Sequence, residues 1–146
     1  ALTSFTHHPC GTYCPLEGPD NYFHDTFFNV PIDTLMYRIE QSVRAGHPVC
    51  WEGDISEDGF SFANGVAELD NDAQQPTQAQ RQEAFETYQT TDDHCMEIIG
   101  IAHNEKGYKY FICKNSWGKN NPFGGFMYLS YNYVRLKTIA AYIVRV

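Results

Sequence analysis

The chain has 146 residues, a formal net charge of −8 and five cysteines. That length suits one domain with a real core, and an acidic balance with no basic stripe excludes a partner held by its phosphate backbone, so no nucleic acid is expected. No apolar run approaches the ~20 residues that cross a bilayer, and Ala1 opens no signal peptide, so no membrane partner is expected either.

An odd number of cysteines in a chain too large to need staples reads as reduced thiols. This points to the cytoplasm and leaves export open. Residues 1–29 carry aromatics but little periodicity, broken by Pro9, Pro15 and Pro19. Such a segment is expected to lie over another surface. Residues 33–45 place Leu35, Met36, Ile39 and Val43 at helical spacing, with Pro31 suited to a first turn and Gly46 to a C′ stop. Residues 48–55 read as a buried strand, and Gly59 and Gly65 mark turns. Residues 70–82 are poor in apolar side chains and read as a surface excursion. An exposed helix is expected over 77–88, capped by Thr77.

From His94 onward the pattern changes to strands, over 94–103 and 108–116, joined by the hairpin turn Asn104-Glu105-Lys106-Gly107. Runs over 125–131 and 138–146 continue it. A helix followed by several antiparallel strands predicts an α+β fold, its sheet curled into a half-barrel.

The chemistry concentrates in two motifs, Asp93-His94-Cys95-Met96 and Lys114-Asn115-Ser116-Trp117-Gly118. A cysteine nucleophile needs an imidazole to take and return a proton, and a partner that fixes the ring's tautomer. His94 suits the first duty. Asn115 suits the second, because Asn is disfavoured in strands and one ending a β-branched, aromatic run suggests a specific hydrogen-bonding task. Trp117 would shield their bond from water. Asp93 is a supporting residue, and with Asp92 it would favour a positively charged substrate amine.

As a set, Asp93-His94-Cys95-Met96-Glu97-Ile98-Ile99-Gly100, then Asn115-Ser116-Trp117-Gly118, then Gly125-Phe126-Met127, resembles the His and Asn signatures of papain-like cysteine peptidases. Within them, Asn29-Val30-Pro31-Ile32-Asp33-Thr34-Leu35, Gly46-His47-Pro48-Val49, Asp54-Ile55-Ser56 and Arg81-Gln82-Glu83-Ala84-Phe85 resemble the bleomycin hydrolase and aminopeptidase C branch. The resemblance covers nearly the whole chain but only the second half of that family's enzyme. It implies that His94 is the catalytic histidine, Asn115 its orienting residue and Trp117 the covering indole. The family's nucleophile and oxyanion-stabilising Gln belong to a Gln…Gly-x-Cys-Trp segment that nothing in this chain matches. Two departures stand out. Cys95 follows the histidine where the family prefers Gly or Ala, which would crowd the site. The family's C-terminal tail has no counterpart after Val146.

Cys50-Trp51 reproduces a Cys-Trp pair, yet it falls in a strand after the Gly46 stop, where no helix N-terminus lowers a thiol's pKa. It is read as a small buried strand residue, and Cys113 as core. Cys10 and Cys14 near His7 and His8 lack the separated ligand pairs of a zinc site. No metal and no cofactor are expected. The reading is the His/Asn-bearing half of a cysteine peptidase domain, acting with its N-terminal half on short peptides as an aminopeptidase and a homo-oligomer. The chain by itself is expected to be inactive. The alternative is a non-catalytic, peptidase-like binding module.

Overall fold

Residues 1–15, 26–56, 59–70, 72–87, 89–90, 94–114 and 121–143 are described by a computed structural model. Helix α1 (Ile32–Arg44) forms where the spacing predicts, with Pro31 at its N-cap and Gly46 just past its end at φ 86°. Its buried face of Leu35, Met36, Ile39 and Val43 packs on the sheet with Val49, Met96 and Ile98. Each such side chain contributes roughly 1.5–3 kcal/mol through the apolar surface it removes from water.

Ten strands are found among the described residues: β1 (Leu2–Thr3), β2 (Thr12–Pro15), β3 (Thr26–Asn29), β4 (Val49–Gly53), β5 (Phe60–Ser61), β6 (Val66–Ala67), β7 (His94–His103), β8 (Lys109–Lys114), β9 (Phe126–Ser130) and β10 (Thr138–Tyr142). They form one sheet in the order β2-β3-β1-β10-β4-β7-β8-β9-β6-β5, antiparallel except at β1/β3 and β6/β9. With helices α2 (Gln78–Glu86) and α3 (Tyr131–Lys137), the fold is α+β. The β7–β8 turn forms as expected. Asn104 Oδ1 accepts from the backbone N–H of Lys106 and Tyr108, and Gly107 takes φ 84°.

Three expectations are corrected. Residues 1–29 do not simply overlie a surface, because β1, β2 and β3 extend the sheet. Buried Asn29 holds this segment by accepting from Phe5 N–H at 2.9 Å and donating to the Phe5 and His8 carbonyls. Helix α2 carries the predicted Thr77 cap, in a reciprocal box with Gln80, but it is not an exposed helix. It buries Arg81, Gln82 and Ala84. Its inner face is satisfied by hydrogen bonds, with Gln82 Oε1 accepting from Thr6 N–H at 2.6 Å and Gln78 Oε1 from Ile32 N–H at 2.8 Å. An apolar periodicity cannot register such a face. Finally, α3 interrupts the run of strands between β9 and β10, started by Ser130 Oγ accepting from Tyr133 N–H.

Candidate active site

His94 opens β7, opposite Gly53 at the end of β4. Side chains alternate along a strand, so His94 shares a face with buried Met96 and Ile98, while Cys95 and Glu97 project from the other. At the strand's end His94 is half-buried. Cys95 therefore does not crowd the imidazole. It stands exposed on the opposite face of the sheet.

The platform under His94 is tied down from α3. Trp51, wholly buried, donates Nε1–H to Thr138 Oγ1 at 2.6 Å, and Thr138 in turn donates to the Val134 carbonyl. Asp54 N–H donates to the Lys137 carbonyl at 3.1 Å, and Tyr133 OH to the Asp54 carbonyl at 2.6 Å. Asp54 Oδ1 closes the turn beyond β4 by accepting from Ser56 N–H and Oγ–H. Gly53 is indispensable here, since a Cβ would come within 2.2 Å of Trp51 Cζ2 and 2.6 Å of the Lys137 carbonyl oxygen. The sequence reading missed Gly53 and α3 alike. Only the β4–β7 register shows what lies across from His94.

Asp93, Asn115 and Trp117 lie outside the described residues. Lys114, the residue before Asn115, is paired with Glu97 on the strand that His94 begins.

Four cysteines lie on strands or on the sheet's outer face. Cys50 alternates with buried Val49 and Trp51, half-buried on the face that carries Cys95 and turned away from the face of His94. Cys113 is buried in the core, and burial pushes its thiol far above the ordinary range, the reverse of what a nucleophile needs. Cys14 is buried in β2, and Cys10 is exposed in the turn before it. Among the described residues no three His, Cys, Asp or Glu side chains come together as a metal site. A cavity of about 690 Å³ opens near the end of β4, between Ser56, Glu68, Asp70, Glu83 and Lys137, and His94 is not part of its wall. No helix among the described residues is long and apolar enough to cross a membrane.

The chain is similar in structure to PepW from Lactobacillus rhamnosis, at a TM-score of 0.75 and 16% identity over 97% of this chain. It covers 34% of that protein, so it spans about a third of its length. It is also similar to the proform of the ragweed pollen cysteine protease Amb a 11, with TM-score 0.50 and 22% identity over 76% of this chain and 31% of that one. No curated protein matches it by sequence. The model of the Peptidase C1-like family matches residues 19–143. That match covers most of a chain whose fold is α+β, and it shows that the chain belongs to the Peptidase C1-like family of papain-like cysteine peptidases.

Proposed function

We propose that this chain supplies the general base and its orienting residue to a cysteine peptidase whose nucleophile resides in a separate N-terminal half of the domain. The observation that carries this reading is the placement of His94. It sits half-buried at a strand end, on a braced platform, with Cys50 and Cys95 on the other face and Cys113 in the core. In the intact enzyme a thiolate attacks the peptide carbonyl. His94 protonates the departing amine, then takes a proton from the water that cleaves the thioester. Asn115, following directly on Lys114, holds the ring in the productive tautomer, and Trp117 covers their bond. Asp93 attracts the substrate's amino group. Oxyanion donors come from the N-terminal half.

The likeness to the aminopeptidase C branch supports action from the amino end of short peptides by a homo-oligomer, and the reduced thiols support a cytoplasmic setting. The test compares this chain with the product of its complete reading frame on an aminoacyl-coumarin substrate. The longer product should turn over and lose activity with His94→Ala, while the 146-residue chain should show none. Robust turnover by the chain alone would sink the proposal. A reading frame with no Gln…Cys-Trp segment upstream would instead favour the binding module.

A further inference from the structure

We propose that Cys50 and Cys95 form a reversible dithiol–disulfide couple, an oxidation site built by the fold that takes a low-molecular-weight disulfide of the glutathione class as its oxidant. The two residues are 45 apart in sequence, and the β4–β7 ladder brings them together. Cys50 is paired with Glu97 and Cys95 with Glu52, so the thiols are diagonal neighbours on one face. Their sulfurs lie 3.0 Å apart, close enough to share a thiol proton. A covalent bond would need them only about 1 Å closer.

Access and pairing single out these two thiols. Cys95 is exposed and Cys50 half-buried, whereas Cys14 and Cys113 are buried. Around the pair stand Glu52, Glu97 and Tyr142, the last being the register partner of Cys50 on β10. Two thiols fall two ligands short of a tetrahedral zinc site, and no third donor joins them among the described residues. What the site offers is two-electron thiol chemistry.

The exchange balances as follows. The exposed Cys95 thiol loses its proton and its sulfur attacks one sulfur of the disulfide, releasing one small thiolate and leaving a mixed disulfide on Cys95. Cys50 then loses its proton and displaces the second small thiolate, closing the Cys50–Cys95 bond. The chain has given up two electrons and two protons, and the small disulfide has become two thiols. Diagonal strand positions, roughly 7–8 Å apart, lie just beyond the Cα separation of about 7 Å that a disulfide spans without backbone movement. Closure therefore draws β4 and β7 together, and an excess of reduced thiol opens the bond again. The bridge would lie one rung from the His94–Gly53 pair. That link to peptidase action rests on the function proposed above, but the bridge itself does not.

The experiment equilibrates the folded 146-residue chain in oxidised and reduced glutathione, quenches with acid, and maps disulfides by peptide mass spectrometry without reduction. A Cys50–Cys95 cross-linked peptide should dominate the folded sample, and adding reduced glutathione should remove it. In urea that preference should disappear. Cys50→Ser or Cys95→Ser should abolish the bridge and leave the remaining thiol carrying glutathione, while Cys10→Ser should not affect it. The proposal is overturned if both residues stay reduced, if each carries glutathione without bridging, or if the dominant bridge joins another pair or two chains. Because the readout is a mass and not turnover, the outcome is independent of whether the chain serves a peptidase.

Discussion

Gly53 faces His94 across the β4–β7 ladder, and the volume above its Cα is already taken by Trp51 and the Lys137 carbonyl. Neither obstacle can step aside, since one is backbone and the other is a buried indole held by Thr138. Gly53→Ala should therefore destabilise the fold by about 2 kcal/mol or more, within the range of overpacked cores. The urea midpoint should fall with its slope unchanged. An unaltered midpoint would show that the platform under His94 is looser than the geometry implies.

Arg81 is wholly buried, and no carboxylate among the described residues pairs with it. Its Nε–H donates to the Ser4 carbonyl at 2.9 Å, Nη1–H to the Arg135 and Leu136 carbonyls at 3.1 and 3.3 Å, and the guanidinium lies 4.6 Å over the Phe5 ring. Burial, and secondarily the charge of Arg135, pulls its pKa below the usual arginine value. The three carbonyls belong to the N-terminal segment and to α3, so Arg81 fastens both to α2. Arg81→Ala should cost roughly 3 kcal/mol or more, because it leaves buried acceptors without a donor. A loss under about 1 kcal/mol in chemical unfolding would contradict this account.

Tyr110 donates to Glu68 Oε1 at 2.6 Å, and its pKa is raised to about 12 by burial first and the Glu68 carboxylate next. Here the fold favours the neutral phenol. The stabilisation is complete below the unfolded tyrosine pKa of about 10 and is lost as pH rises from there towards the folded value. Stability measured from pH 9 to 12 should fall more steeply for the native chain than for Tyr110→Phe. Parallel curves would argue against the assignment.

At the start of α2, Thr77 Oγ1 accepts from Gln80 N–H at 3.1 Å while Gln80 Oε1 accepts from Thr77 N–H at 2.8 Å. Thr77→Ala should lower stability by about 1 kcal/mol, and Thr77→Ser should restore most of it. If serine fails where threonine succeeds, the cap's hydrogen bond is not the stabilising element.

Cys113 offers a direct contrast within one molecule. Its burial and upward-shifted thiol predict that iodoacetamide at neutral pH spares it while modifying exposed Cys10. Peptide mapping decides, and equal labelling of the two would show the core opening faster than expected.

What could be read in advance followed the strength of the local signal. Helix α1 was legible because its apolar face repeats every turn, and the β7–β8 hairpin because Asn104 and Gly107 bracket it. The inner face of α2 was hidden because Arg81 and Gln82 are buried through hydrogen bonds. Strand β1 has two residues, too few for any alternation, and is placed by β10. For the site, His94 could be singled out by its neighbours in sequence. The glycine across from it and the thiol beside Cys95 depend on strand register, which no single segment encodes.

The pairing of Leu2 with Ala141 gives the chain an order of assembly. Among the described strands, β2 and β3 reach the rest of the sheet only through β1, and β1 only through β10. Until β10 is in place, β1, β2 and β3 thus have no edge on the rest of the sheet to dock against. One flank of the sheet therefore closes through a contact between segments far apart in sequence, the kind of pairing that is slow to form and leaves strand edges open meanwhile.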